Sequence, residues 1–198
     1  MSQISQPSAG PVPGHTGAPL SEHTPHQILG PYFPATDEPA ATNDLTTSAE
    51  MAGVAQGQII WVEGRILNRA GEPVDRAKIV VWQANSFGRY AHPNDSNPAP
   101  LDPNFTGFAK MFSGPDGSYR FRTVKPGAYP AGPLRTRPPH IHFEVQGRFD
   151  RLITQMYFPN EPLNDRDPLL LSANAPCSLL ARSAAPDTFT FDIVLFRG

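Results

Sequence analysis

From position 58 onward the chain sets short apolar or alternating runs between turns, and this pattern predicts strands. Gln58–Leu67 carries β-branched and aromatic residues and closes on the turn Asn68–Pro73, as a strand followed by a reversal would. Lys78–Gln83 is mostly apolar and suits a buried strand. The turn Ser113–Gly117 leads into Tyr119–Val124, which alternates with period two. His140–Val145, Leu152–Phe158 and Thr188–Phe196 read as three further strands. Between Ser86 and Lys110 there is no strong periodicity, and an irregular stretch that long inside a domain points to a functional loop. The segment best suited to a short helix is Ser178–Ser183. These elements predict an all-β fold, a β-sandwich with long functional loops and little helix.

Composition sharpens this picture. Among 198 residues there are 24 prolines and 16 glycines, a content that opposes long helices and favours many turns. Lys and Arg total 16 against 18 Asp and Glu, so no basic field exists to hold a nucleic-acid backbone. No apolar run reaches the roughly 18–20 residues of a membrane span. A single cysteine, Cys177, excludes an internal disulfide framework and a cysteine-built metal site. Residues 1–23 are rich in Pro, Gly, Ser, Thr and His and read as a disordered tail. They lack the apolar core of a secretory signal, which favours a cytoplasmic location. Residues 24–56 form an arm and connector, and residues 57–198 the sandwich domain.

Chemistry first shows in His140-Ile-His142. Side chains at i and i+2 of a strand share a face, so the two imidazoles form a natural metal pair while Ile141 faces the core. The plain alternative is two half-exposed histidines on a polar sheet face. Glu144 would add a carboxylate for an iron(II) or zinc site, but three consecutive same-face positions span roughly 13 Å, too wide for one ion. The loops offer other donors. Gly88-Arg-Tyr90 opens the long irregular segment, and Lys125–Pro130 is a proline-clamped turn carrying Tyr129. Taken singly, each tyrosine reads more readily as a core or rim aromatic than as a ligand.

Six ordered segments carry a resemblance: Trp82–Asn85, Gly88–Tyr90, Pro100–Phe105, Phe121–Pro130, Arg137–Phe143 and Leu152–Phe158. Together they closely resemble the intradiol ring-cleaving dioxygenases, above all their protocatechuate branch, from about Thr24 to the C-terminus. The resemblance implies a non-haem iron(III) held by Tyr90, Tyr129, His140 and His142. It implies insertion of both atoms of O2 into a catechol to give a cis,cis-muconate, without an organic cofactor. Tyr129 would leave the metal carrying a substrate proton, and Arg137 would face the negative charge developing on the ring. Gln155 matches a family glutamine, although an ordinary strand amide would look the same. Arg89 is given no role.

Two features depart from the family pattern or stand outside the ligand set. Ala131 occupies a position where the iron-bearing chain often has tryptophan, so the pocket wall and the substrate are open: protocatechuate, or another substituted catechol such as hydroxyquinol. Thr24–Tyr32 resembles the pocket-lining arm of the metal-free α-type chains with which the protocatechuate enzymes pair. Gly30, Pro31 and Tyr32 would then border a site in a self-sufficient homo-oligomer, with pairing to a separate α-type chain as the other arrangement and a structural latch as the plain one. Ile193 falls at a family pocket position and is equally a core residue. A metal-free sandwich acting as a binding or structural subunit is the reading that retention of all four donors opposes.

Overall fold

The spine of the molecule is β1 (Ile59–Asn68), whose buried residues Ile60, Val62 and Ile66 alternate with more exposed neighbours. The computed structural model describes residues 22–34, 41–47, 53–132 and 135–198, so the expected tail lies almost wholly outside the described residues. Along one edge β1 pairs antiparallel with β4 (Ser118–Val124) over its full length. Along its other edge it pairs in parallel with two short strands, β10 (Thr188–Thr190) and β11 (Ile193–Leu195). The short β9 (Arg182–Ala185) extends this sheet beyond β10.

A second, antiparallel sheet runs in the order β3-β2-β7-β8, with β2 at Lys78–Trp82, β3 at Phe108–Phe112, β7 at His140–Gln146 and β8 at Arg151–Tyr157. The two sheets face each other across an apolar core. Ile79, Val81, Ile141, Phe143 and Val145 from the second sheet meet Ile60, Val62 and Phe121 from the first and Phe191 from the link between β10 and β11. Each such large side chain contributes roughly 1.5–3 kcal/mol by leaving water. Leu45, from the connector, is fully buried in the same core. Its neighbours Ala41 and Asp44 bridge to Lys110 of β3 and Arg122 of β4, lacing the two sheets together. The fold is an all-β sandwich. No helix among the described residues is long and apolar enough to cross a membrane.

Several expectations need correction. Thr188–Phe196 is two strands, because Asp192 Oδ1 accepts the Arg65 N–H at 3.0 Å where a backbone carbonyl would continue the ladder. A Cβ on Gly64 would also lie 2.0 Å from the Phe191 carbonyl oxygen, so the break packs backbone against backbone. Ser178–Ser183 is not a helix: a 3-10 turn at Pro176–Leu179 runs out into β9. The α-helical turn is α1, Pro168–Leu171, capped by the Asp167 side chain. The aperiodic stretch ends earlier than expected, where β3 begins at Phe108. A two-stranded ribbon of β5 (Tyr129–Pro130) and β6 (Thr136–Arg137) was not foreseen.

The arm ties both sheets together. Thr24 donates its N–H to the Val194 carbonyl of β11, and Gln27 donates to Ile153 of β8. Beyond Gln27 the arm crosses the outer face of the second sheet, where the polar side chains of β7 and β8 emerge.

Candidate metal centre

On that outer face, strand register sets up a row of side chains. Trp82 lies opposite His142, His142 opposite Gln155, and His140 opposite Tyr157. Trp82 stacks on His142 with ring centroids 4.8 Å apart and planes 11° from parallel. His140 stacks on Tyr157 at 5.7 Å. The period-two pattern of β7 therefore turns both imidazoles away from the core, as its alternation predicts, and both are buried under loops and arm.

The two tyrosines arrive from separate loops that meet through glycine. A Cβ on Gly88 would lie 2.2 Å from the Ala128 carbonyl oxygen, and one on Gly127 would lie 2.6 Å from Gly88 N and from Ser86 O. Gly88 also has φ +80°, a conformation that costs glycine little. This backbone-to-backbone approach lies next to both tyrosines, whose ring centroids are 5.4 Å apart. The Asp95 carboxylate accepts the Tyr90 N–H at 2.7 Å, and Asn85 Oδ1 accepts the N–H groups of Phe87 and Arg89. Arg89 donates to the Ala99 carbonyl at 2.7 Å, so it braces the loop.

The four side chains close a ring. Centroid separations are 5.4 Å for Tyr90 and Tyr129, 5.5 Å for Tyr129 and His140, 4.9 Å for His140 and His142, and 6.3 Å for His142 and Tyr90. Tyr90 Oη and His142 Nδ1 are buried without a hydrogen-bond partner among protein atoms. Such orphaned polar atoms are rare in folded proteins, and a cation bound at Tyr90 Oη would remove the penalty there. His140 Nδ1 lies 2.7 Å from the Pro138 carbonyl, which can only accept, so this nitrogen carries the proton and Nε2 keeps its lone pair. That lone pair lies 3.5 Å from Tyr129 Oη, a spacing two ligands of one ion can share.

Electrostatics leave all four groups neutral before a cation arrives. Burial, then the neighbouring Tyr129, pushes the Tyr90 phenol well above its ordinary value. Burial also raises Tyr129, but Arg137 beside it works in the opposite direction. Burial, then Arg137, drives His140 down to about 3. His142 falls well below its ordinary value through burial, His140 and Arg137. Two phenols and two neutral imidazoles suit a hard, highly charged cation that can displace the phenol protons.

Arg137 stands next to this ring, paired across the ribbon with Tyr129. Its Nη2 donates to Gln155 Oε1 at 2.8 Å, Tyr157 Oη at 2.7 Å and Asp167 Oδ2 at 2.9 Å. The Gln155 amide in turn donates to the Ile28 carbonyl of the arm at 3.1 Å. Gln155 is thus tied to the arginine rather than being an ordinary strand amide. Gly30 sits against His142: a Cβ there would come 3.3 Å from His142 Cε1. Tyr32 lies over Tyr90 with centroids 4.5 Å apart, and Pro31 is exposed in the turn between them.

Two further candidates from the sequence lie outside this ring, as the plainer reading of each expected. Ile193 is fully buried in the core between the sheets and does not join the tyrosine–histidine ring. Glu144 shares the histidines' face of β7, but its carboxylate takes a hydrogen bond from Arg151 at 2.5 Å. Sequence reasoning missed Trp82, Asp95, Tyr157 and Asp167. Tyr157 was within reach, two residues beyond Gln155 on the same strand face; Asp95 and Asp167 sit in irregular segments with no periodicity to expose them.

The protein-family model described as Dioxygenase matches residues 28–196. Over 190 residues the chain is 42% identical to the protocatechuate 3,4-dioxygenase beta chain of Burkholderia cepacia, covering 89% of this chain and 80% of that one. The chain belongs to the intradiol ring-cleavage dioxygenases. The alpha chain from the same organism is 30% identical over 187 residues, covering 87% of this chain and 91% of that one. Among solved structures of this dioxygenase family, the dioxygenase domain of a carbohydrate-binding fusion from Streptomyces sp. SirexAA-E superposes with TM-score 0.69 at 33% identity. That match covers 89% of this chain and 100% of that one. The chain spans about half the length of the hydroxyquinol and catechol 1,2-dioxygenases it also matches.

Proposed function

We propose that this intradiol dioxygenase binds iron(III) through Tyr90, Tyr129, His140 and His142 and cleaves a substituted catechol, with protocatechuate as the substrate. The observation that carries the reading is the convergence of two phenols and two imidazoles, with Tyr90 Oη and His142 Nδ1 left without partners in a buried site. Iron(III) bound there would supply a Lewis-acid centre at which a catechol chelates and becomes reactive toward O2. Protocatechuate is favoured by the identity to the Burkholderia cepacia beta chain.

The chain's own residues divide the remaining work. Loss of both phenol protons gives two anionic oxygens to offset the metal charge. In this reading Tyr129 Oη is the phenol that exchanges a proton with substrate, as the family resemblance implies. Arg137 beside it favours its anion while burial opposes it, and Tyr90 is buried and pushed well above its ordinary value. Arg137 presents a fixed positive charge where negative charge grows on the ring, an arrangement worth about 10²–10³ in rate when one such donor is removed. Gly30 and Tyr32, from the chain's own arm, cover the histidine and tyrosine ligands. Their position supports a site completed without a separate α-type chain.

The test is the colour and turnover of the chain expressed alone and loaded with iron. Phenolate-to-iron(III) charge transfer should make it red-brown, the band should shift on adding protocatechuate, and ring cleavage should follow. A colourless preparation with one iron per chain overturns the ligand set. Activity only after adding a second gene product overturns self-sufficiency. Faster cleavage of hydroxyquinol than of protocatechuate overturns the substrate.

A further inference from the structure

Arg137 and Asp167 are 30 residues apart in sequence, and their side chains are almost completely shielded from solvent, at 4% and 0% exposed. Asp167 Oδ2 accepts from both Nε at 3.2 Å and Nη2 at 2.9 Å of the guanidinium. Its other oxygen accepts from the Leu169 N–H at 3.3 Å, at the start of α1, and lies 3.4 Å from Arg135 Nη2. One carboxylate therefore joins the arginine to a separate part of the chain.

We propose that Asp167 is a positioning residue for the ring-cleavage reaction: it orients Arg137 toward the charge that develops on the substrate. This inference rests on the intradiol reading above. The backbone pairing of Tyr129 with Arg137 fixes where the arginine starts, beside Tyr129, but not where its guanidinium points. Gln155 and Tyr157 are neutral acceptors, and both engage only Nη2. Among these three partners Asp167 alone supplies a counter-charge and grips two nitrogens, which sets the plane of the group. A buried guanidinium without such a partner carries a large desolvation penalty and would turn toward solvent or another acceptor. A displacement of about 1 Å at a charge-stabilising group is enough to cost about 10²-fold in rate.

The competing role is purely structural, because Asp167 also caps α1. Asp167→Asn separates the two, since Asn caps a helix as well as Asp does but carries no charge. In iron-loaded Asp167→Asn the iron content and the charge-transfer band should match wild type. Its kcat should fall about 10²-fold with KM within about threefold of wild type. In the metal-free protein, the Arg137 Nε–H resonance, identified by its loss in Arg137→Gln, should shift or broaden in Asp167→Asn. Should the single variant fail to fold, Arg137→Gln with Asp167→Asn removes both buried charges together. That pair should lose no more kcat than Arg137→Gln alone. Wild-type kcat in Asp167→Asn, an unmoved Nε–H signal, or a further tenfold loss in the double variant overturns the proposal. A colourless iron-loaded wild type would overturn the metal reading instead, and the Nε–H measurement would still judge whether Asp167 holds Arg137.

Discussion

The two faces of the sheet β3-β2-β7-β8 share the same strands and are held by different forces. On the inner face Ile141, Phe143 and Val145 meet apolar side chains, and nothing there needs a specific partner beyond shape. On the outer face His140 and His142, one residue out of phase, meet tyrosines, an arginine and an arm, each with a defined bond or an orphaned atom. The inner face keeps the protein folded by the area it removes from water. The outer face buries a smaller apolar cluster around Val80, Trp82 and Tyr90 and also concentrates unsatisfied polar groups, which is the signature of a site arranged for something that binds there.

The sharpest way to break this comparison is to truncate neighbours that point in opposite directions. Phe143→Ala should cost about 3–5 kcal/mol of stability, measured by denaturant unfolding, because it opens a cavity in a fully buried core. Its folded fraction should still bind iron and show the charge-transfer band. His142→Ala should abolish iron binding and colour and reduce ring cleavage to background, with a much smaller stability loss in the metal-free protein. Loss of colour in Phe143→Ala refolded below its melting point, or full colour in His142→Ala, would mean that the two faces are not separable.

Acid should expose the same asymmetry with a smaller effect. His140 is held at about 3 and His142 is also depressed, chiefly by burial, so the folded metal-free protein keeps both neutral while the unfolded chain protonates them near 6.5. A depressed folded value means the contribution is complete above about pH 6.5 and is lost as pH falls toward 3. At pH 5 His140 should cost roughly 2 kcal/mol of stability relative to pH 7, and His142 adds a loss in the same direction. Urea unfolding of the metal-free protein across that window measures it. Replacing both histidines by glutamine should flatten the pH dependence, and an unchanged slope in that variant would assign the acid sensitivity elsewhere.

How much of this could be read from sequence follows from how local each signal is. His140-Ile-His142 was legible because a strand's alternation places both rings on one face without any knowledge of the rest of the fold. The tyrosines were legible only as members of segments resembling known dioxygenases; their meeting depends on Gly88 and Gly127 letting two backbones touch, which no spacing reveals. The last strand was read as continuous because Asp192 looks like any strand-edge acid until its side chain is seen taking the Arg65 N–H. Ile193 was read either as a pocket residue by family position or as a plain core residue, and it lies in the core, a choice that strand phase alone could not make from sequence. Asp167 was invisible because it lies in an irregular segment and its partner is distant in sequence.

Glycine provides the finest comparison, because two positions share a backbone angle and differ only in what surrounds them. Gly71, in the turn after β1, has φ +79° and nothing within 4 Å of where a Cβ would stand. Gly88 has φ +80° with the Ala128 carbonyl oxygen 2.2 Å from that point and Tyr129 Cβ at 3.3 Å. Gly71→Ala should therefore cost only the left-handed penalty, about 1 kcal/mol, with iron binding unchanged. Gly88→Ala must add displacement of the Gly127–Tyr129 turn, for a total of about 2–3 kcal/mol, and should move Tyr129 away from Tyr90. Iron affinity should then fall about tenfold, with a shifted charge-transfer band, while the Gly71 variant keeps the wild-type spectrum. Equal stability losses with identical spectra would show that the strained backbone alone matters at position 88, and that the close approach of the two loops is not what brings the phenols together.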